Sequence, residues 1–331
     1  MCATCFWRQA WPARLLAPAE AESAVRRIPI RVETDVDGAP GWISGDVFLP
    51  DAGSVLRKVI LFCFPGGGVT RQYFDISGEA TFSFARAMTD FGFVCVTFDH
   101  PGTGESFVPD DGFALDAVSI ADAGTQAVQH VTAKLRQGEL DPGVAPMGDC
   151  VHIGIGHSMG AMIVILQQSV GPLYDGAALL CFTTRGLPEV LTEEERAAAA
   201  SSLVSAADFS RLARARFGEP FPMIAPARGD SPAARALASV AGALAATSAM
   251  QSMLPGNVAR AAALLTTNLF LAAGDRDLTG PPHAIPSAFT GCNDLRLVVV
   301  PGAGHHPFVT AGAPRLYACL AEWIDDVPVV R

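Results

Sequence analysis

The chain has 331 residues, half of them hydrophobic and 17% charged, with a formal net charge of −10 at pH 7. That length holds one large core, or one core with a substantial insertion, and the composition argues against a disordered or fibrous protein. The acidic balance argues against nucleic acid or an anionic membrane as partner, since both repel such a surface; the two lysines, Lys58 and Lys134, sit in no basic cluster.

The first 25 residues carry Arg8, Arg14 and prolines but no apolar stretch of signal-peptide length. No run reaches the roughly 20 apolar residues of a membrane span. Cys2 and Cys5 form a CxxC with no second pair at zinc spacing, so no metal site is read there. Cys63, Cys95, Cys150 and Cys181 fall inside or at the ends of apolar runs, where a thiol acts as a small hydrophobe. Reduced thiols and a cytoplasmic location are the expectation. Residues 1–27 are read as an N-terminal extension.

From there, apolar or β-branched runs predict strands over 41–49, 58–64, 91–98, 150–155, 176–182, 268–274 and 295–300. Most runs are continuous rather than alternating, which marks strands covered on both faces and hence a mainly parallel sheet between helical layers. Helices are predicted over 78–90, Leu115–Arg136 and 312–325. Between Phe182 and Asn268 the strand signal gives way to alanine-rich helical sequence, opened by a capping box at Thr192 and Glu195. The reading is an α/β core over 28–182 and 266–331, with a helical cap or lid inserted over 183–265. The alternative is an extra helical layer that only extends the core.

Chemistry gathers at the ends of the predicted strands. The run "CVHIGIGHSMGAM" (150–162) is an apolar strand, a GxSxG turn and a helix, the sequence form of a nucleophile elbow. Gly156 and Gly160 leave room where strand and helix cross, Ser158 takes the strained tip, and the helix from Met159 aims its positive end at the same place. The competing reading is a glycine-rich turn whose serine caps the helix. A serine hydroxyl is a weak nucleophile at pH 7 and needs a base held by a carboxylate. The later strands offer Asp275-Arg276-Asp277 and then "PGAGHHPF", with His305 and His306. The order Ser, Asp, His fits an elbow of this kind. Asp277 is preferred as the acid, Asp275 being better placed as a turn residue; His305 is preferred as the base because it follows the flexible Gly302-Ala303-Gly304. His130, His152 and His283 are read as structural or surface residues. "FPGGGVT" lets backbone approach a ligand, with Gly67 as a second oxyanion donor beside Met159 and with Gly66 and Gly68 shaping the loop. A phosphate loop is disfavoured because GKS or GKT is missing.

Together, "FPGGG" (64–68), "FDHPGTGES" (98–106), GHSMG, "GDRD" (274–277) and "GAGHH" (302–306) resemble the α/β-hydrolase superfamily. The resemblance implies the α/β-hydrolase fold, an eight-stranded, mostly parallel sheet with helices on both faces and a lid after the sixth strand. It departs from many relatives at Pro65, where they carry histidine. Within "FDHPGTGES", Asp99 and Ser106 are read as structural. The implied activity is hydrolysis of an ester, thioester or lactone through Ser158, Asp277 and His305, with no cofactor and no metal. Alternatives are acyl transfer or C–C bond hydrolysis on the same residues, or a ligand-binding receptor without turnover. Tyr73 and Phe74 are expected to line the substrate pocket or else to pack. Phe221, Met223, Met250 and Met253 point equally to an apolar small-molecule substrate and to the insertion's own core.

Overall fold

The computed structural model describes residues 3–4, 25–51, 56–77, 80–200, 206–218, 223–224 and 231–328; Cys2, Cys5 and Phe221 lie outside them. A two-residue strand, β1 (Ala3–Thr4), forms one edge of the main sheet. The other eight strands are β2 (Arg26–Val36), β3 (Ala39–Leu49), β4 (Val59–Phe64), β5 (Val94–Phe98), β6 (Val151–His157), β7 (Gly176–Leu180), β10 (Asn268–Gly274) and β11 (Leu295–Val300). Their spatial order is β1-β11-β10-β7-β6-β4-β5-β3-β2, parallel from β1 to β5 and antiparallel at β3 and β2. This is the mostly parallel architecture expected.

Why the central runs are continuously apolar is visible strand by strand. Along β4, Ile60, Phe62 and Phe64 face a core shared with α2 (Ala117–Gln137) and α3 (Met159–Val170), while Leu61 and Cys63 face a second core. That second core is closed by α1 (Phe84–Asp90) and α9 (Ala313–Asp326), whose Trp323 is almost fully buried. A strand with two buried faces has no polar position left, so alternation vanishes from the sequence. All six described cysteines, among them buried Cys63, Cys95 and Cys181, are free thiols.

One strand had gone unread. β2 runs antiparallel to β3 through Asp37 and Gly38, both in the left-handed region at φ 55° and 80°, as a two-residue hairpin requires. The Asp-Gly pair and the alternation Ile28, Ile30, Val32, Thr34, Val36 carry that signal in the sequence.

Between β7 and β10 lie α4 (Glu193–Ala200), α5 (Ala206–Phe217), α6 (Pro232–Ser239), α7 (Ala246–Met253) and α8 (Ala259–Leu264), with a small ladder of β8 (Met223–Ile224) and β9 (Ala243–Leu244). The capping box forms reciprocally: Thr192 N donates to Glu195 Oε2 at 2.8 Å, and Glu195 N donates to Thr192 Oγ1 at 3.2 Å. Helices α5 and α7 pack on each other around Met250, which is fully buried with Phe113, Leu191 and Leu212. Met250 is therefore core rather than pocket. Helix α8 packs on α3 and puts Ala262 into the main core, so this part of the stretch read as insertion belongs to the sheet's own helical layer. Among the described residues no helix is long and apolar enough to cross a membrane.

The loops at the carboxyl ends of β4 and β5 are tied by one buried cation. Arg71 is 4% exposed. Its Nε donates to Asp46 Oδ2 at 2.6 Å, its Nη2 to Glu105 Oε2 at 2.6 Å and its Nη1 to Asp99. Asp99 also accepts from the backbone N–H of Arg71 and Glu105, and Ser106 Oγ bridges Asp99 O to Ser44 N. Arg71→Met leaves buried Asp99 without its cation and Asp46 with Arg27 alone, and is expected to cost about 3–5 kcal/mol. Urea unfolding checks it; a midpoint equal to the parent's would show that the network contributes nothing.

Candidate functional site

In an open parallel sheet, ligands bind beyond the carboxyl ends of strands where the connections diverge to opposite faces. Here β4 is that strand: β5, reached through α1, lies on one side, and β6, reached through α2, lies on the other. The glycine loop leaves β4 and Ser158 leaves β6 next to it, with Phe64 registered against Gly156.

The elbow is forced by close packing. A Cβ on Gly160 would lie 2.1 Å from Phe64 O, and one on Gly156 would lie 2.4 Å from Ala161 Cα. With both side chains absent, α3 starts immediately beyond the strand, and Ser158 between them is held at φ 53°, ψ −119°. Its N–H is anchored to Leu180 O at 2.8 Å, and its carbonyl accepts from Ala161 N at 2.9 Å. Such a non-glycine conformation costs about 1–3 kcal/mol and persists only where its surroundings over-determine it.

The hydroxyl it presents meets an imidazole. His305 Nε2 lies 2.8 Å from Ser158 Oγ, and His305 Nδ1 lies 2.8 Å from Asp277 Oδ1. Asp277 Oδ1 also accepts from Thr279 N at 3.1 Å. The carboxylate side chain is fully buried and the imidazole is 20% exposed. Burial pushes the Asp277 carboxyl up, but the hydrogen bond and charge of His305 outweigh it and hold it down to about 2. Of the two aspartates only Asp277 meets the imidazole; Asp275 Oδ1 accepts from Gly302 N at 2.8 Å and so fixes the turn ahead of His305. His306 lies beside His305, its ring packed on Tyr73 with centroids 5.6 Å apart.

The glycine loop covers the other side of Ser158. A Cβ on Gly66 would lie 3.3 Å from Ser158 Cβ and 2.7 Å from His157 Nδ1. Gly67 is bordered by the side chains of Leu244, Ala249 and Met159. Gly68 takes φ 80°, and its carbonyl accepts from Gly242 N at 3.0 Å. Met223 sits in β8 opposite Leu244.

Tyr73 and Phe74, considered as pocket residues, are instead buried completely: Tyr73 stacks on Phe308 and Phe74 packs on Phe84 and Phe308. The short helical turn over Arg71–Phe74 points both rings into the core beneath the loop, where the aromatic cluster takes them up.

Two histidines whose roles had not been read hold the loops. His100 Nε2 bonds Pro65 O at 2.8 Å, and His157 Nε2 bonds His305 O at 2.7 Å. A carbonyl only accepts, so each Nε2 carries the proton. Burial lowers His100 to about 4, against the pull of the Pro65 carbonyl, and lowers His157 well below the usual histidine value. His306 is likewise lowered to about 4 by burial and by the neighbouring His305. A histidine in a motif says nothing about whether a carbonyl faces it, so these pairs were invisible before folding.

Among the described residues, one convergent set of metal-ligating types exists: Cys181, Asp277 and His305, whose ligating atoms all lie within 4.8 Å of one another. It overlaps the hydrogen-bonded line just described.

The family model described as "Alpha/beta hydrolase family" matches residues 60–318. Among solved structures, a thermophilic esterase from Thermogutta terrifontis aligns with a TM-score of 0.59 at 15% identity, over 91% of this chain and 99% of its own. An N-acyl homoserine lactonase, AidH, complexed with N-hexanoyl homoserine, aligns with a TM-score of 0.54 at 18% identity, over 93% and 99%. A bromoperoxidase from Bacillus anthracis gives 0.56 at 13%, over 90% and 100%. Likeness at such identities shows a shared fold. No curated protein matches the chain in sequence.

The lowered histidines make a pH prediction. Unfolded, each binds a proton below about pH 6.5; folded, His100 and His306 bind one only near 4, and His157 is likewise lowered well below the usual histidine value by burial. Stability is then full above pH 6.5 and falls as pH drops, by on the order of 1.4 kcal/mol per pH unit for each histidine. The Asp277 contribution is lost in the same direction but at lower pH, present above about pH 4 and lost as pH falls toward 2. Urea midpoints at pH 7.5 and 5.0 test the first window, the expectation being a clearly lower midpoint at pH 5.0.

Proposed function

Because the chain belongs to the alpha/beta hydrolase family, we propose that it is a serine hydrolase acting on an ester, thioester or lactone of a mainly apolar small molecule. The observation that carries this reading is the unbroken hydrogen-bonded line from Ser158 Oγ through His305 to Asp277, with 2.8 Å at each step. In it, His305 takes the serine proton as Oγ attacks the carbonyl carbon. Asp277, acceptor only, fixes the tautomer that leaves Nε2 free to accept and stabilises the imidazolium that forms. Negative charge developing on the carbonyl oxygen falls to the N–H groups of Gly67 and Met159, the latter at the positive end of α3. His305 then returns the proton to the leaving group, and a water activated in the same way frees the acid from the acyl-enzyme.

An apolar acyl group fits the surroundings of the oxyanion glycine, since Leu244, Ala249 and Met159 border Gly67. The chain between β7 and β10 supplies Leu244 and Ala249, and in this reading acts as a cap over the strand ends. Lactones belong on the same panel as esters, the AidH lactonase sharing this fold.

Ser158→Ala is expected to lower kcat for p-nitrophenyl ester hydrolysis by at least about 10³-fold, because residues that act as a unit lose nearly all their effect together. A fluorophosphonate probe should label the parent at Ser158 and leave the variant unmodified. Parent-like turnover in the variant, or a folded parent that resists the probe, ends the proposal, the second outcome favouring a ligand-binding protein. For the substrate class, kcat/KM should rise from acetate toward hexanoate by up to about fourfold per methylene, in line with ~0.8 kcal/mol for each buried CH₂; a flat series contradicts the apolar site.

A further inference from the structure

Three described residues other than glycine adopt positive φ: Asp37 in the hairpin turn, Ser158, and Cys181 at φ 53°. Cys181 directly follows β7, is 1% exposed, and has its N–H fixed to Ala272 O at 2.7 Å. Nothing in the elbow chemistry requires it. The loop after β7 holds no carboxylate before Glu189, yet it brings a thiol to the carboxylate donated by β10: the ligating atoms of Cys181, Asp277 and His305 share one cluster within 4.8 Å.

The two oxygens of Asp277 are unequally treated. Oδ1 accepts from His305 Nδ1 and Thr279 N, whereas Oδ2 is buried with no hydrogen-bond partner. A buried carboxylate oxygen without a donor is costly, and a carboxylate held at one oxygen only is free to swing about it. Resting on the serine-hydrolase reading above, we infer that Cys181 is a positioning residue whose S–H donates to Asp277 Oδ2, locking the carboxylate plane that orients His305. The thiol is suited to that task. Burial, and then the charge of Asp277, raise it well above the ordinary cysteine value, so it stays protonated and can donate. The strained backbone at Cys181 fits the same picture, since a left-handed residue other than glycine is retained where its placement matters.

The groups that bear on the carboxylate's charge are His305, Cys181, His157, His306 and Tyr73; the last three are held neutral by burial at working pH. The thiol is therefore the donor whose removal can be read in a pH profile. Cys181→Ser keeps a donor and should retain kcat/KM within about threefold. Cys181→Ala should lower kcat by about tenfold or more with KM little changed. It should also move the acid limb of the pH–rate profile to higher pH, because a carboxylate relieved of one donor holds the imidazolium more tightly. Should the alanine variant not fold, Cys181→Gly tests the same loss while accepting the positive φ. Alanine or glycine variants with the parent's rate and profile, or a serine variant as impaired as the alanine one, would overturn the inference and leave packing as the role. Proton NMR of the His305 Nδ1–H in parent and variants reads the Asp277–His305 hydrogen bond without turnover. An altered resonance in an inactive protein keeps the positioning role while the hydrolase reading falls, and an unaltered one removes the positioning role in either case.

Discussion

Everything at the carboxyl edge of this sheet depends on how closely α3 approaches β4. Phe64 O stands 2.1 Å from where a Cβ on residue 160 would be, and Ala161 Cα stands 2.4 Å from where one on residue 156 would be. No side chain fits in either gap, so two glycines are obligatory, and with them comes the short reversal that puts Ser158 at φ 53°. The same contact sets the helix start next to the glycine loop, where a Cβ on Gly66 would lie 3.3 Å from Ser158 Cβ. The strain at Ser158 is small against the burial of α3, whose Met162, Ile163, Val164 and Ile165 are fully enclosed in the core.

The loops gathered around that elbow would otherwise be independent, and backbone carbonyls supply their fastening. His100 grips the carbonyl of Pro65 just before the glycine loop, and His157, adjoining the serine, grips the carbonyl of His305 itself. Each link needs only the proton on Nε2, and burial keeps the other ring nitrogen unprotonated, so the rings hold these carbonyls without bringing charge into the site. Asp275 adds a third fastening through Gly302 N, and Arg71 ties the same loop region to Asp46, Asp99 and Glu105. Ser158, Asp277 and His305 thus sit on loops that are buried at their roots and hydrogen-bonded to one another, the condition for a preorganised geometry.

How much of this could be read beforehand follows from which forces are local. The central strands announced themselves because burial on both faces leaves an unbroken apolar run, and GHSMG because a tight strand-to-helix turn needs its glycines in fixed places. Choosing Asp277 over Asp275 and His305 over His306 rested on loop flexibility and position alone, and the coordinates bring that pair to Ser158. β2 was missed although its Asp37-Gly38 turn is a local signal, because its alternating pattern mixes Arg31, Glu33 and Asp35 with the apolar residues. Tyr73 and Phe74 followed a functional loop in sequence but turn beneath it in space, where Phe84 and Phe308 arrive from distant segments. The Arg71 network and the two histidine links are likewise long-range pairings, separated by 25 to 148 positions, and no spacing rule reaches that far.

The chain between β7 and β10 is joined to this machinery by backbone rather than by side chains alone. Thr70 N donates to Val240 O at 2.9 Å, Gly242 N donates to Gly68 O at 3.0 Å, and Val69 bridges Ala241 in antiparallel fashion. The glycine loop is therefore extended into a short ladder with the segment that carries Leu244 and Ala249 over Gly67. A displacement of that segment large enough to admit a bulky substrate must either break those bonds or pull Gly67 with it. In the serine-hydrolase reading proposed above, accommodation of substrate and placement of the Gly67 N–H become mechanically one event. Substrate size should on that account act on the rate of the chemical step as well as on binding, since the donor geometry that lowers the barrier is set by the same strand pairing that shapes the pocket.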